Sequence, residues 1–131
     1  PYRLEMGRRL STRRGADLYD FWGDKLAKAI DAQVAGHGAP VVINLASNEY
    51  FKAARPKKLK ARVITPAFKE VKNGKAMVIG MFAKQARGAM ARFMIQNRVE
   101  TPEGLQAFTD GGYKYQAKLS SDDDWVFTRK R

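Results

Sequence analysis

Val41–Tyr50, VVINLASNEY, decides the fold class. Val41-Val42-Ile43-Asn44-Leu45 is short, apolar and β-branched, the pattern of a strand buried on both faces. Ala46–Tyr50 is polar, and Ser47 stands where it would cap a short helix that Pro56 forbids from continuing. Before the strand, Leu18, Phe21, Trp22, Leu26, Ala29, Ile30 and Val34 recur at helical spacing behind Asp17, a natural N-cap. The spacing predicts an amphipathic helix over Leu18–Ala35, with Phe21 and Trp22 as core anchors. Gly36-His37-Gly38 and Pro40 stop it, and His37 reads as a turn residue. Helix, buried strand, polar loop and helix imply an α/β layer. Polar groups just past the carboxyl end of such a strand are where open α/β sheets place ligands. Asn44, Ser47, Glu49 and Tyr50 are therefore candidate pocket residues, and capping with loop fixation is the plainer reading of them.

Farther along, Arg62–Val71 and Ala76–Phe82 read as strands joined through Lys72-Asn73-Gly74-Lys75, because Asn-Gly between β-rich runs is a strong hairpin signal. Pro66 predicts an edge position or a bulge in the first of them. Ala83–Arg98 has helical period, with Ala83, Ala86, Ala89, Met90, Phe93 and Met94 on one arc. Lys84, Arg87, Arg92 and Arg98 fall on the opposite arc with Gly88, and Ile95 sits among those charges. Thr101-Pro102-Glu103 starts a short helix to about Phe108. Tyr113–Leu119 and Trp125–Arg129 form a second hairpin around Ser120–Asp124. The fold class is α/β with mixed α+β character: short strands in a mixed sheet, two β-hairpins and two main amphipathic helices. The 131 residues fit a single domain or a half-domain of something larger.

Charge is concentrated. Tyr50–Val99 carries thirteen Lys and Arg and one acid, Glu70, so the formal charge of +12 resides there and the flanks sum to zero. No Cys occurs, which removes disulfides and thiolate metal sites, and the single His disfavours a triad or a histidine metal site. Asp122-Asp123-Asp124 lacks the spacing of an EF-hand loop, so no metal and no cofactor are expected. No nucleotide fingerprint is present. No apolar run approaches the ~20 residues needed to span a bilayer. Four cations on one helix arc without an intervening carboxylate cannot pair with one another at i,i+4. Such a surface attracts phosphate, and the sparse aromatics favour a duplex backbone over stacked single strands.

The stretches PYRLEMGRRL (Pro1–Leu10), DLYDFWGDKL (Asp17–Leu26), VVINLASNEYFK (Val41–Lys52), PKKL (Pro56–Leu59), AKQARGAMARFMIQNR (Ala83–Arg98) and DDWVFTRK (Asp123–Lys130) closely resemble the YaaA family, the bacterial peroxide stress resistance proteins. The resemblance runs through nearly the whole chain in order. Members are about twice this length, so a chain that begins at Pro1 resembles the C-terminal half, with the N-terminal half as an expected partner. The resemblance implies a cytoplasmic protein that aids survival of hydrogen peroxide by limiting free iron and the DNA damage it causes. It also implies an unusual α/β fold that binds DNA in a positively charged cleft and carries a helix-hairpin-helix element, to which no hairpin here corresponds.

Two functions follow as expectations. In the first, double-stranded DNA is the partner, and Lys57, Lys58, Lys60, Lys84, Arg87, Arg92 and Arg98 contact phosphates while Gly88 permits close approach. In the second, an enzyme acts on a small anionic or nucleobase-like substrate in a pocket of Arg3, Glu5, Asn44, Ser47, Glu49 and Tyr50 with the Lys84–Arg92 helix. Glu49, Glu5 or Tyr50 would then be catalytic, the two carboxylates as acid/base candidates, with Lys84 and Arg87 holding the anion.

Overall fold

Asp17 opens the first helix as its spacing requires: its carboxylate accepts the Asp20 N–H at 2.9 Å. The computed structural model describes residues 5–10, 12–36, 38 and 40–131, so Arg3 and His37 lie outside the described residues. The chain forms two compact units, Pro1–Pro40 with Ala46–Arg62, and Val41–Leu45 with Val63–Arg131.

In the first unit, the expected Leu18–Ala35 helix is two helices, α1 (Leu18–Trp22) and α2 (Lys25–Val34). Gly23 takes φ +52° and ends α1, a conformation open to glycine at little cost. Apolar period alone did not register that break. Phe21 is half-buried and Trp22 remains 38% exposed, so the two rings pack edge to face on each other without both entering a core. Asn48–Phe51 forms α3, followed by 3-10 turns at Lys52–Ala54 and Pro56–Lys58. Ser47 occupies the N-cap position of α3 but its hydroxyl makes no capping bond.

Apart from Met6, the buried apolar residues of this unit are small: Ala27, Ala53, Ala54 and Ala61. Carboxylates do the fastening instead. Asp31 accepts the backbone N–H of Lys60 at 3.0 Å and of Ala61 at 3.2 Å. Glu49 accepts the Met6 N–H through Oε1 at 3.3 Å, and the Tyr19 hydroxyl donates to the Glu49 carbonyl at 2.7 Å. Asp24 pairs with Arg55 at 3.1 Å.

The second unit is a five-stranded mixed sheet with one long helix. Its strands are β1 (Val41–Ile43), β2 (Arg62–Lys72), β3 (Lys75–Met77), β4 (Lys114–Tyr115) and β5 (Asp124–Lys130), in the order β1-β2-β5-β4 with β3 also on β2. The Asn-Gly hairpin forms as expected. Asn73 and Gly74 take φ +52° and +75°, and Lys72 faces Lys75. The second hairpin pairs Tyr115 with Phe127 and Lys114 with Thr128. Two strands are shorter than their patterns. Ala76–Phe82 yields to a helix that starts at Gly80, and Tyr113–Leu119 yields to a 3-10 turn at Ala117–Leu119. The short helix after Thr101 is likewise a 3-10 turn, Pro102–Ala107.

Pro66 corrects another expectation. It lies on a strand paired on both sides, opposite Trp125 of the parallel strand β5. Thr65 N–H points to β5, where it meets the Asp123 carbonyl, whereas the Ile64 carbonyl points to β1 and accepts from Asn44 N–H. By alternation Pro66 faces the β1 side, in the gap before β3 begins opposite Glu70. The missing N–H is therefore one that no neighbouring strand requires.

Ile64, Pro66, Phe68 and Glu70 alternate onto the buried face of β2. Phe68 contacts Phe108, Tyr113 and Phe127 with ring centroids 5.8, 5.3 and 5.4 Å away. Ala86 and Met90 of the helix α4 (Gly80–Gln96) close this core with Leu105 and Trp125.

Candidate nucleic-acid interface

On α4, Ala83, Ala86 and Met90 are buried, and Ala89, Phe93 and Met94 lie against the core. At 100° per residue this sets the orientation of the other face. Lys84, Gly88 and Arg92 look away from the core and, with Met81, Gln85 and Ala89, line a shallow groove of about 550 Å³. Arg87 is half-buried, and Ile95 is 79% exposed, as its place among the charges implied. A Cβ built on Gly88 meets nothing within 4 Å, so the glycine is not required by packing. Lys84, Arg87 and Arg92 form no ion pair with a described residue, because no carboxylate of α4 stands a turn away. Arg98 leaves this face. The helix ends at Gln96, and Arg98 takes φ +47° in the turn that follows.

The other proposed phosphate contacts belong to the first unit. Lys57 and Lys58 sit on the 3-10 turn after Arg55 and line a depression of about 560 Å³ with Tyr19, Lys52 and Arg55. Lys60 is exposed beside Asp31, whose carboxylate holds its backbone N–H. The basic stretch seen in sequence is thus divided between two units, with Arg55–Lys60 in one and Lys84–Arg98 in the other.

The candidate pocket residues are divided in the same way. Ser47, Glu49 and Tyr50 belong to the first unit and Asn44 to the second. Asn44 is 5% exposed, and its side-chain amide donates to Thr65 Oγ1 at 3.3 Å while its N–H completes the β1–β2 ladder. Both of these bonds run to strand β2. Glu49 fixes the segment at Met6. Tyr50 is 43% exposed, and Glu5 is exposed with its carbonyl accepting the Arg8 N–H. The Ser47 hydroxyl oxygen is buried and has no hydrogen-bond partner among the described residues.

One charged cluster escaped the sequence reading. Glu70, 2% exposed, accepts the Tyr113 hydroxyl through Oε2 at 2.7 Å and Arg129 Nε through Oε1 at 2.5 Å. Arg129 also donates from Nη1 to the Gly111 carbonyl at 3.0 Å, and its guanidinium lies over the Tyr113 and Phe82 rings at 4.5 and 5.1 Å. Burial raises the Glu70 pKa, but the bonds from Arg129 and Tyr113 outweigh it, and the carboxyl ends below its ordinary value. Burial, then the bond to Glu70, pushes Tyr113 up to about 12. A signal for this cluster was present. Glu70 is the lone acid of the basic block and falls on the apolar face of its strand.

Comparison with known proteins fits this arrangement into a family. The family model described as "Peroxide stress protein YaaA" matches residues 1–119. The chain belongs to the YaaA peroxide stress family. A UPF0246 protein of Magnetococcus marinus is 56% identical over 129 residues, covering 98% of this chain and 50% of its own length. A UPF0246 protein of Roseobacter denitrificans is 59% identical over 131 residues, with 98% and 51% covered. One from Dechloromonas aromatica is 52% identical over 130 residues, with 99% and 51% covered. The chain thus spans about half the length of these YaaA-family relatives. Among the described residues no helix is long and apolar enough to cross a membrane.

Proposed function

We propose that this member of the peroxide stress family binds double-stranded DNA in the cytoplasm and helps limit iron-driven damage to it. The observation that carries the reading is the α4 groove. Lys84 and Arg92 flank Gly88 on an exposed helix face whose cations have no carboxylate partner among the described residues. Phosphate contacts of this kind position a protein on a duplex without reading its sequence. Arg87 lies one position from the groove and adds a third charge. Lys57, Lys58, Lys60 and Arg98 supply further, less organised attraction. The N-terminal half that the relatives' length implies is the other proposed partner, and the activity of the whole protein is part of the same proposal.

The test is a charge-reversal series, Lys84→Glu, Arg87→Glu and Arg92→Glu, measured by duplex binding across a range of salt. Each lost contact reduces the log–log salt slope by about 1 and weakens binding to all sequences alike. Unchanged affinity and slope in the triple variant would reject α4 as the interface.

A further inference from the structure

Sulfur in this chain is confined to five methionines, since it holds no cysteine. Met6 and Met90 are buried, and Met94 lies against the core. Met77 and Met81 are open to solvent, 52% and 66% exposed, on β3 and on the first turn of α4. Oxidation of a sulfur follows its exposure, and a methionine sulfoxide is polar where the thioether was apolar. Met81 differs from Met77 in its surroundings. It lines the α4 groove with Lys84, Gln85, Gly88 and Arg92. Lys84 and Gln85 follow it by three and four positions, the spacing of neighbours on a helix. The Lys84 ammonium and the Gln85 amide both donate hydrogen bonds. The groove therefore holds an oxidisable sulfur one turn from the donors that would meet a phosphate.

We propose that Met81 is a peroxide-modified switch residue, whose sulfoxide weakens the hold of the α4 groove on duplex phosphates. The oxidant is hydrogen peroxide, the stress in the family's description. The sulfur lone pair attacks one peroxide oxygen and the O–O bond breaks. The proton on the transferred oxygen passes to the departing hydroxide, which leaves as water. Sulfur is oxidised by two electrons and the peroxide is reduced by two. The new S=O oxygen is an acceptor at helical-neighbour spacing from Lys84 and Gln85, and a donor it engages is withdrawn from phosphate. This consequence rests on the proposed binding of DNA by α4, whereas the oxidation of Met81 does not.

Peptide mass spectrometry over a time course in hydrogen peroxide is the first test. Met81 and Met77 should oxidise well ahead of Met6, Met90 and Met94, and urea should abolish the order. Oxidation of Met81 no faster than that of Met90 overturns the proposal. Protein quenched when Met77 and Met81 alone have reacted should bind duplex DNA at least about threefold more weakly, the weight of one hydrogen bond. Its thermal midpoint should equal the parent's, and methionine sulfoxide reductases of both stereospecificities should restore its affinity. Met81→Leu, compared with itself before and after peroxide, should show no loss, whereas Met77→Leu should lose affinity as the parent does. Undiminished binding by the oxidised parent, an equal loss in oxidised Met81→Leu, or a lowered midpoint that accounts for the loss overturns the proposal. If the triple charge-reversal variant of α4 binds as well as the parent, the DNA reading fails and the switch with it. If charge reversal weakens binding and oxidation does not, the switch alone is rejected.

Discussion

Glu70 and Arg129 stand directly opposite each other on the parallel strands β2 and β5, and their side chains meet at 2.5 Å on the buried face of the sheet. The pair joins strands fifty-nine residues apart. Removing one member leaves the other's charge uncompensated, which costs more than the pair itself contributes. Glu70→Ala should therefore destabilise the protein by about 3 kcal/mol, toward the low end for buried pairs because Arg129 is 26% exposed. Glu70→Gln keeps the shape and should cost less. Urea midpoints of the two variants check the order.

The same cluster shapes the dependence of stability on pH. The folded pKa of Glu70 lies below its unfolded value, so its contribution is present above about pH 4 and fades as pH falls through the lowered value. Tyr113 has a folded pKa of about 12, above the unfolded value near 10. Its contribution is present below about pH 10 and is lost as pH rises toward 12. Denaturation series in acid and alkali should show both limbs, and Tyr113→Phe should flatten the alkaline one.

Gly88 separates folding from binding. With open space around it, Gly88→Ala should stabilise α4 by about 0.5–1 kcal/mol. If a phosphate approaches the backbone there, Gly88→Leu should weaken duplex binding although the helix stays intact. A thermal melt paired with a DNA titration reads both effects. Equal DNA affinity for the parent and the Gly88→Leu variant would place the duplex elsewhere.

Asp31 binds two backbone N–H groups, those of Lys60 and Ala61. Asp31→Ala should cost about 1–3 kcal/mol, because both donors lose their acceptor, the Ala61 one in a buried setting. Hydrogen exchange should quicken at Lys60 and Ala61 first.

Much of the second unit was legible in the sequence, because its signals are local. Asn73-Gly74 required positive φ, and α4 announced its buried arc through Ala83, Ala86 and Met90. Elements decided by tertiary partners were not. Gly23 broke a helix whose apolar period ran on across it, and Trp22 stayed exposed in a unit whose buried residues are mostly alanines. The cations of α4 could be grouped from spacing alone. Which unit Lys57 and Lys58 join could not, since no local pattern encodes the division between the units. The Glu70–Arg129 pair also depends on a register between distant strands.

Pro66 spares the sheet an orphaned donor as well as fitting it. Pro66 is buried, and its nitrogen faces the β1 side of β2, beyond the bond that Asn44 N–H makes to the Ile64 carbonyl. An amide hydrogen at that point would be a buried donor in need of an acceptor, and the ring removes the need. Pro66→Val should restore the donor, and the variant should unfold at a lower temperature than the parent.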